Sequence, residues 1–377
     1  MKFMHLSDLH IGKRVNDFSM LEDQQFILKE ILKITDEVKP DAVLIAGDVY
    51  DKAVPAAEAV QLLDAFLTKL ESRGLPVFLV SGNHDSAERI AFGSQILSES
   101  GIYIAPVFQG NVQKITLADE YGELDLFMLP FIKPAHVRRY FPEAEVESYD
   151  DAVRTVLNSL DVDESKRNVL IAHQFITGAE RSDSEELSVG GLDNIDANAF
   201  DAFDYVALGH IHRPQKVMRD TIRYAGTPLK YSFSEADHKK SVTVVTMEEK
   251  GRIDIDTIPL MPRHDLRKIK GSYEELTRKA NYENTDTQDY LQVTLTDEED
   301  ILDAIGKLRS IYPNIMKLEY DNARTRNQQT MDICEHVEEK TPPELVKEFY
   351  QLQNNQEMSE EQEGYLSELI EKIWEVR

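Results

Sequence analysis

Apolar residues along this chain fall into two rhythms. Short runs of four or five β-formers occupy residues 3–6, 42–46, 77–80, 169–172 and 205–208. Runs of that length, bounded by Gly, Asn or Asp, read as buried strands. Between them the apolar positions recur every three or four residues. Residues 20–38 place Phe26, Ile27, Ile31 and Ile34 on one face and are punctuated by Pro40, while residues 56–70 carry Val60, Leu63 and Leu67 on one stripe closed by Gly74. Further helices are predicted over 88–97 and 150–160. Strand and helix in alternation predict a layered α/β fold.

Two stretches depart from that alternation. Over 111–129 the period falls to two, with Val112, Ile115 and Leu117, a polar turn at 119–122, then Leu124, Leu126 and Met128; this predicts a hairpin feeding an antiparallel part of the sheet. Strands are also expected at 221–225 and 241–247, with Gly226-Thr227-Pro228 turning between them. The segment containing Arg138-Arg139 has no readable pattern, and 182–191 is a polar, glycine-rich loop. Near residue 262 the composition shifts. Strands at 266–269, 290–295 and 315–320 and helices at 273–280 and 301–311 make a small α/β unit of accessory-domain size. A polar linker and two short helices follow. The second helix opens with Ser359 and Gln362 as a capping box and carries Tyr365, Leu366, Leu369, Ile370, Ile373 and Trp374 on one stripe, which suits either its own domain or a partner groove. The expected organisation is therefore 1–262, 263–323, a linker at 324–340, and helices at 341–377.

What ends each buried run carries the chemistry. Run 3–6 leads into Asp8-x-His10, run 42–46 into Gly47-Asp48, and run 77–80 into Ser81-Gly82-Asn83-His84-Asp85. Run 169–172 ends in His173, and run 205–208 in Gly209-His210-Ile211-His212. Ligands of α/β sheets bind at the carboxyl ends of the strands, so these side chains are expected to converge on one metal site. A pair of divalent ions about 4 Å apart clamps the attacking and leaving oxygens of a phosphoryl displacement, and needs a bridging carboxylate. Asp48 is the expected bridge, with Gly47 before it permitting close approach. Asp8, His10 and His212 would complete one ion; Asn83, His173 and His210 would complete the other. Mixed oxygen and imidazole donors suit Mn²⁺, Fe²⁺ or Zn²⁺. His84 remains free as general acid or as a donor to the phosphate, and Asp85 would orient it or position a ligand from behind. His5, His136, His238 and His264 read as structural, and the Cys334-x-His336 pair offers too few donors for a metal.

Composition adds limits. The formal charge is −27, from 42 basic and 69 acidic residues, which argues against nucleic-acid binding by overall charge. Lys13, Arg14, Lys52, Arg89, Arg213 and Lys216 nevertheless lie close to the motifs. With a single cysteine no internal disulfide forms, and the absence of a signal-peptide pattern or long apolar run leads us to expect a cytoplasmic protein.

The strand-end motifs, in this order, resemble the signature of the calcineurin-like metallophosphoesterases. The opening stretch from Met4 to Gly12, Val189-Gly190-Gly191, Gly226-Thr227-Pro228-Leu229 and Ser232-Phe233-Ser234-Glu235 further resemble the bacterial double-strand-break repair nucleases of that superfamily. The resemblance covers the first 260 residues or so strongly; the small α/β unit resembles the family's capping domain by position. It implies mixed β-sheets flanked by helices and a nuclease using two Mn²⁺. That nuclease trims duplex ends 3′ to 5′ and nicks single strands or hairpins, in the cytoplasm at the nucleoid. It also implies an ATPase partner whose coiled-coil root binds the C-terminal helices, and a homodimer within a heterotetramer. The helices at 56–70 and 88–97 are candidates for the dimer contact, although packing on their own sheet explains them equally. A phosphatase or cyclic-nucleotide phosphodiesterase, or a non-catalytic scaffold, are the competing readings.

Overall fold

The buried runs build two stacked sheets. In the computed structural model, which describes residues 1–183, 185, 194–325, 346–347, 350, 358–359, 362–366 and 369, the chain falls into two compact units, Met1–Leu266 and Arg267–Arg377. The first sheet of the larger unit runs Ile253–Pro259, Ser241–Met247, Lys2–Leu6, Ala42–Ala46, Val77–Val80, Ile102–Ile104. Its last four strands are parallel, and the first two add an antiparallel hairpin against Lys2–Leu6. The second sheet runs Gln215–Val217, Arg219–Tyr224, Tyr205–Gly209, Arg167–His173, Gly122–Leu129, Gln113–Asp119. Its four central strands are likewise parallel, with an antiparallel strand at each edge.

Alternation along each strand decides which way its side chains go. Phe3, Leu44, Phe78 and Val245 of the first sheet meet Leu126, Val169, Ile171 and Ala207 of the second in one core between the sheets. The opposite face of the second sheet, with Phe127, Leu129, Leu170 and Val206, buries against Val153, Val156 and Leu157 of the helix Tyr149–Asn158. Helices Leu21–Val38 and Ala57–Glu71 bury their own apolar stripes, and Thr35 on the former donates to Met4 Sδ on the outer face of the first sheet. The result is helix, sheet, sheet, helix. The five parallel strands that lead into the Asp, Asn and His motifs all do so at the same end.

Strands 42–46, 77–80 and 241–247 form as expected, and the two long helices lie within a residue of the predicted bounds. The hairpin also forms, but Gly122–Leu129 then pairs parallel with Arg167–His173, so it joins a mixed sheet. The predicted helix at 88–97 is instead two short helices, Ala87–Ile90 and Ser94–Ser98, parted where Gly93 takes φ 74°. Residues around Arg138 form the short helix Pro134–Arg138. Among the described residues five strands had no prediction: the two-residue pair Arg14–Val15 and Phe18–Ser19, and the sheet edges Ile102–Ile104, Gln215–Val217 and Ile253–Pro259. Polar residues break up the apolar run in Gln215–Val217 and Ile253–Pro259, and Ile102–Ile104 is only three residues long.

The smaller unit has a three-stranded sheet in the order Leu266–Gly271, Tyr290–Leu295, Ile315–Tyr320, over a core of Leu291, Val293, Leu295, Leu308, Tyr312 and Ile315. Its first predicted helix breaks at Arg278 into Tyr273–Thr277 and Lys279–Tyr282, and its second shortens to Ala304–Arg309. Most of the linker at 324–340, Cys334 and His336 fall outside the described residues. So do Val189-Gly190-Gly191, Ile370, Ile373 and Trp374. The Ser359–Gln362 capping box forms, the Gln362 amide donating to Ser359 Oγ at 3.3 Å and the Ser359 amide to Gln362 Oε1 at 2.9 Å. Tyr365 and Leu369 on that helix are exposed.

Candidate metal centre

The loops that end neighbouring strands of the first sheet are joined by backbone before any side chain is considered. The Asp8 amide donates to Gly47 O at 3.0 Å and the His10 amide to Asp48 O at 2.9 Å, which aligns the loops after the Lys2–Leu6 and Ala42–Ala46 strands. Asp8 Oδ1 accepts from the His210 amide at 2.9 Å, and Asp48 Oδ1 accepts from the His84 amide at 2.9 Å. To turn so sharply, Asp8, His10, Asp48 and His210 adopt positive φ values of 50°, 43°, 46° and 104°. Such conformations cost of order 1–3 kcal/mol each for residues with a Cβ and persist where surrounding structure imposes them. Two glycines permit the approach. A Cβ on Gly47, itself at φ 81°, would collide with the His173 ring, and one on Gly82 would collide with the Asp48 carboxylate.

Two groups of donors result. His10 Nε2 and His212 Nε2 lie 3.2 Å apart, and His10 Nε2 is 3.6 Å from Asp48 Oδ2. Asp8, His10 and His212 hold ligand-type atoms within a sphere that a cation fits, and so do Asp8, Asp48 and His173. On the other side, His173 Nε2 and His210 Nδ1 both face Asn83 Oδ1, at 2.9 and 3.0 Å, and Asp48 Oδ2 lies 3.4 Å from His173 Nε2. Asp48 thus stands between the two groups. Ring orientation is fixed from behind. His173 Nδ1 donates to the carbonyl of Ala46 at 2.9 Å, which makes Nε2 the lone-pair nitrogen of the ring once it is neutral, and His212 Nδ1 lies 3.1 Å from Glu235 Oε1, with the same consequence. Asp8 Oδ2 is buried without a hydrogen-bond partner. A buried anionic oxygen left in that state is expensive, and a cation relieves it. The donor set is mixed oxygen and nitrogen with no thiolate, which fits a first-row divalent ion.

Burial and mutual proximity set the protonation states. Burial pushes Asp8 up to about 6, against the attraction of His173. Burial would also raise Asp48, but His173, His10 and His84 crowd it and hold its carboxyl well below the usual range. His10 and His210, desolvated, are pushed down, His210 to about 3, so both are neutral donors. Burial lowers His173 too, yet Asp48 and Asp8 outweigh it and raise the ring to about 9. The metal-free site therefore keeps one proton where a ligand must have none.

The sequence-predicted residues meet here, with two refinements. His84 turns its Nε2 toward Asp48 Oδ2 at 4.0 Å, and its ring is oriented by the Asp51 carbonyl, 3.1 Å from Nδ1. The Asp85 carboxylate is taken up by backbone rather than by a side chain. It accepts from the amides of Val49, Tyr50 and Gly82 at 3.1, 2.9 and 2.9 Å, clamping the Asp48 loop to the Asn83 loop. Several supporting residues had no forecast. Glu235 holds His212 and is itself held by buried Lys240, whose Nζ lies 2.6 Å from Glu235 Oε2 and donates to His212 O and Thr227 Oγ1 at 2.8 and 2.6 Å. Gln24 Nε2 donates to His10 O at 2.7 Å and to Tyr231 OH, which donates to Leu9 O. Glu235 stood in a motif that drew attention. A polar residue at a fully buried position of the helix Leu21–Val38 was the available signal for Gln24. His5, by contrast, binds Tyr205 OH between the sheets, as a structural histidine does.

A chain with this strand order and this donor set belongs to the calcineurin-like phosphoesterase family, whose model matches residues 1–214. A second model, described as the type 5 capsule protein repressor C-terminal domain, matches residues 262–354. Within the family the chain groups with the SbcD proteins: it is 32% identical over 382 residues to the D subunit of nuclease SbcCD from Staphylococcus epidermidis, over 99% of each chain. Among solved structures it is similar to a dimetal phosphatase from Danio rerio, with 10% identity, 69% of this chain and 96% of that one covered, and a TM-score of 0.42. TT1561 of Thermus thermophilus follows at 12% identity, 68% and 98% coverage, and a TM-score of 0.38.

Two outcomes are expected of the metal-free protein. Binding a divalent ion at pH 7 releases a proton, because His173 is raised to about 9 and must be neutral to ligate; affinity rises with pH toward 9 and weakens further below about 6, where Asp8 also protonates. Calorimetric titration in buffers of different ionisation heat reads the release, and an enthalpy independent of buffer contradicts it. Replacing Glu235→Ala frees the His212 ring and lowers metal affinity by roughly 10–100-fold. Titration beside a circular-dichroism melt checks this; an unaltered affinity in a folded variant excludes the support role.

Proposed function

We propose that this chain is the nuclease subunit of a DNA-end-processing complex. It would hydrolyse phosphodiesters with two Mn²⁺, trimming duplex ends 3′ to 5′ and opening hairpins or single strands in concert with the ATPase SbcC. The observation that carries this is Asp48 standing between two converging donor groups, Asp8, His10 and His212 on one side and Asn83, His173 and His210 on the other. Support for the nucleic-acid substrate comes from the full-length likeness to the D subunit of nuclease SbcCD. Bound there, the ions would supply positive charge to the attacking and leaving oxygens and lower the pKa of the attacking water.

The chain's own residues do the rest. Asp8, Asp48 and Asn83 fix the oxygen donors by loops that already hydrogen-bond one another. His210 and His173 keep the second group in place through Asn83 Oδ1. His84, with Nδ1 held at Asp51 O, presents Nε2 at the edge of the site, where its imidazolium form would hand the Nε2 proton to the leaving oxygen or donate it to the phosphate. Asp85 acts from outside, by keeping the Asp48 and Asn83 loops together.

In the remainder of the chain, we assign residues 263–323 to a DNA-facing capping domain and 324–340 to a linker. We assign residues 341–377 to binding the coiled-coil root of SbcC, through Tyr365, Leu366, Leu369, Ile370, Ile373 and Trp374. An enzyme of this kind works in the cytoplasm at the nucleoid; among the described residues no helix is long and apolar enough to cross a membrane. A homodimer is supported by the segment after the Asn83 loop. Phe92 and Ile96 are 86% and 75% exposed, whereas the helix Ala57–Glu71 buries most of its stripe at home and leaves Val60. Two large apolar residues so bare, Phe92 in the turn between two short helices and Ile96 on the second, suit a second copy of the same surface.

Offered hairpin DNA and a small phosphodiester with Mn²⁺, the protein with SbcC is expected to cut the DNA. His84→Gln should lose roughly 10²–10⁴-fold while still binding metal, and Asp48→Ala should lose metal and activity together. Turnover of the small ester alone would favour a phosphatase or cyclic-nucleotide phosphodiesterase, and inactivity on both a scaffold. A Phe92→Asp/Ile96→Asp variant is expected to sediment at half the wild-type mass; an unchanged mass would place the dimer contact elsewhere.

A further inference from the structure

An acidic chain that cuts nucleic acid has to hold a polyanion somewhere near its metals, and three of the six cations that the sequence places beside the motifs are already neutralised. Lys13 pairs with Asp51 at 2.7 Å, Arg213 with Glu180, and Lys216 with Asp220. The segment following the Gly122–Leu129 strand is different. Lys133, Arg138 and Arg139 are exposed, and no carboxylate among the described residues pairs with any of the three. Arg138 donates to the carbonyl of Val146 at 2.7 Å; Arg139 lies over the Tyr140 ring at 5.6 Å, and Lys133 lies 5.9 Å from the Phe131 ring.

This basic, aromatic stretch is anchored to the metal centre. The Phe131 amide donates to Ser81 O at 2.9 Å, two residues before Asn83, and Gln174 Nε2, next to His173, donates to Ile132 O at 3.3 Å. The half-buried Phe131 ring meets the His173 ring edge-on, with centroids 6.1 Å apart. The Lys133 ammonium is thus one aromatic ring away from a candidate ligand. Unpaired cations interleaved with aromatic faces are what single-stranded nucleic acid binds, phosphates on the charges and bases against the rings.

We propose that the rim formed by Phe131, Lys133, Arg138, Arg139 and Tyr140 grips a single strand of nucleic acid through its phosphates and leads it into the metal centre. This rests on the nuclease reading above and supplies the strand-holding surface which that reading leaves open. A small phosphodiester has no flanking phosphates, so it neither reaches the rim nor depends on it. The rim therefore selects polymer over monomer.

The test uses the full chain and a Lys133→Ala/Arg139→Ala variant. Binding to a fluorescein-labelled single-stranded oligonucleotide is followed by anisotropy across a salt series, with Ca²⁺ in place of Mn²⁺, and Mn²⁺-dependent hydrolysis of bis(p-nitrophenyl) phosphate is measured alongside. The variant is expected to bind the oligonucleotide roughly tenfold more weakly. Its plot of log affinity against log salt should be shallower by about 1.4, some 0.7 for each phosphate no longer neutralised, with small-ester turnover within about twofold of wild type. Equal slopes for wild type and variant overturn the rim and leave the nuclease reading standing on its cleavage assay. Absence of oligonucleotide binding by the wild type also overturns the rim, and only if hairpin DNA goes uncut does the nuclease reading fail with it. Parallel losses on oligonucleotide and small ester likewise overturn it, by placing the effect in the metal centre itself.

Discussion

The structure turns on crowding lone pairs and carboxylates into a dry space where they repel until something positive arrives. Asp8 and Asp48 are both buried at the junction of the two sheets, along with His10, His173 and His212. Left alone, such a group would relax outward or take up protons. It is held because the scaffold around it has no slack. Four of its residues sit in left-handed backbone, Gly47 and Gly82 leave no room for a Cβ, and Asp85 locks two loops with three amide hydrogen bonds. Glu235 does the same for His212, and its own buried charge is matched by Lys240 rather than by solvent. The geometry is therefore set before a cation arrives, which is what preorganised electrostatic catalysis requires.

Which parts of this could be read from residues alone follows from where polar groups stand out. A parallel strand buried on both faces is a bare apolar run, so the Asp, Asn or His that ends it is conspicuous, and Asp8, Asp48, Asn83, His173 and His210 announce themselves. Gln24 and Tyr231 support the site from a helix and an irregular segment whose sequences look ordinary, and Glu235 from a motif that carried a resemblance but no role. Their meaning appears only when chain segments some distance apart are brought together. Asp85 shows the same limit at short range, since its neighbour His84 was the obvious partner and the amides of Val49 and Tyr50 were the real ones. The edge strand Ile253–Pro259 alternates apolar and acidic residues and so lacks the uniform run of a central strand. The helix expected at 88–97 breaks at Gly93, one residue on from a phenylalanine that a continuous buried helix would have covered.

Overall charge is a poor guide to what such a protein binds. At physiological ionic strength fields decay over about 8 Å, so acids spread over a distant surface are screened from a strand lying at the metal centre. What counts there is local. Carboxylates at the site turn toward a cation, those around it tie up Lys13, Arg213 and Lys216, and the stretch over 131–140 leaves its basic side chains without acidic partners. An acidic chain can in this way keep a polyanion at a chosen place and away from the rest of its surface.

The strand order also bears on the timing of synthesis. The Lys2–Leu6 strand, which leads into Asp8 and His10, lies between Ala42–Ala46 and Ser241–Met247, so one of its flanks is supplied by residues that leave the ribosome long after it does. His173, His210, His212 and Glu235 also come late, from segments that must emerge before the centre can close. A nascent chain accordingly cannot assemble the metal centre until translation has passed the segment that completes the first sheet.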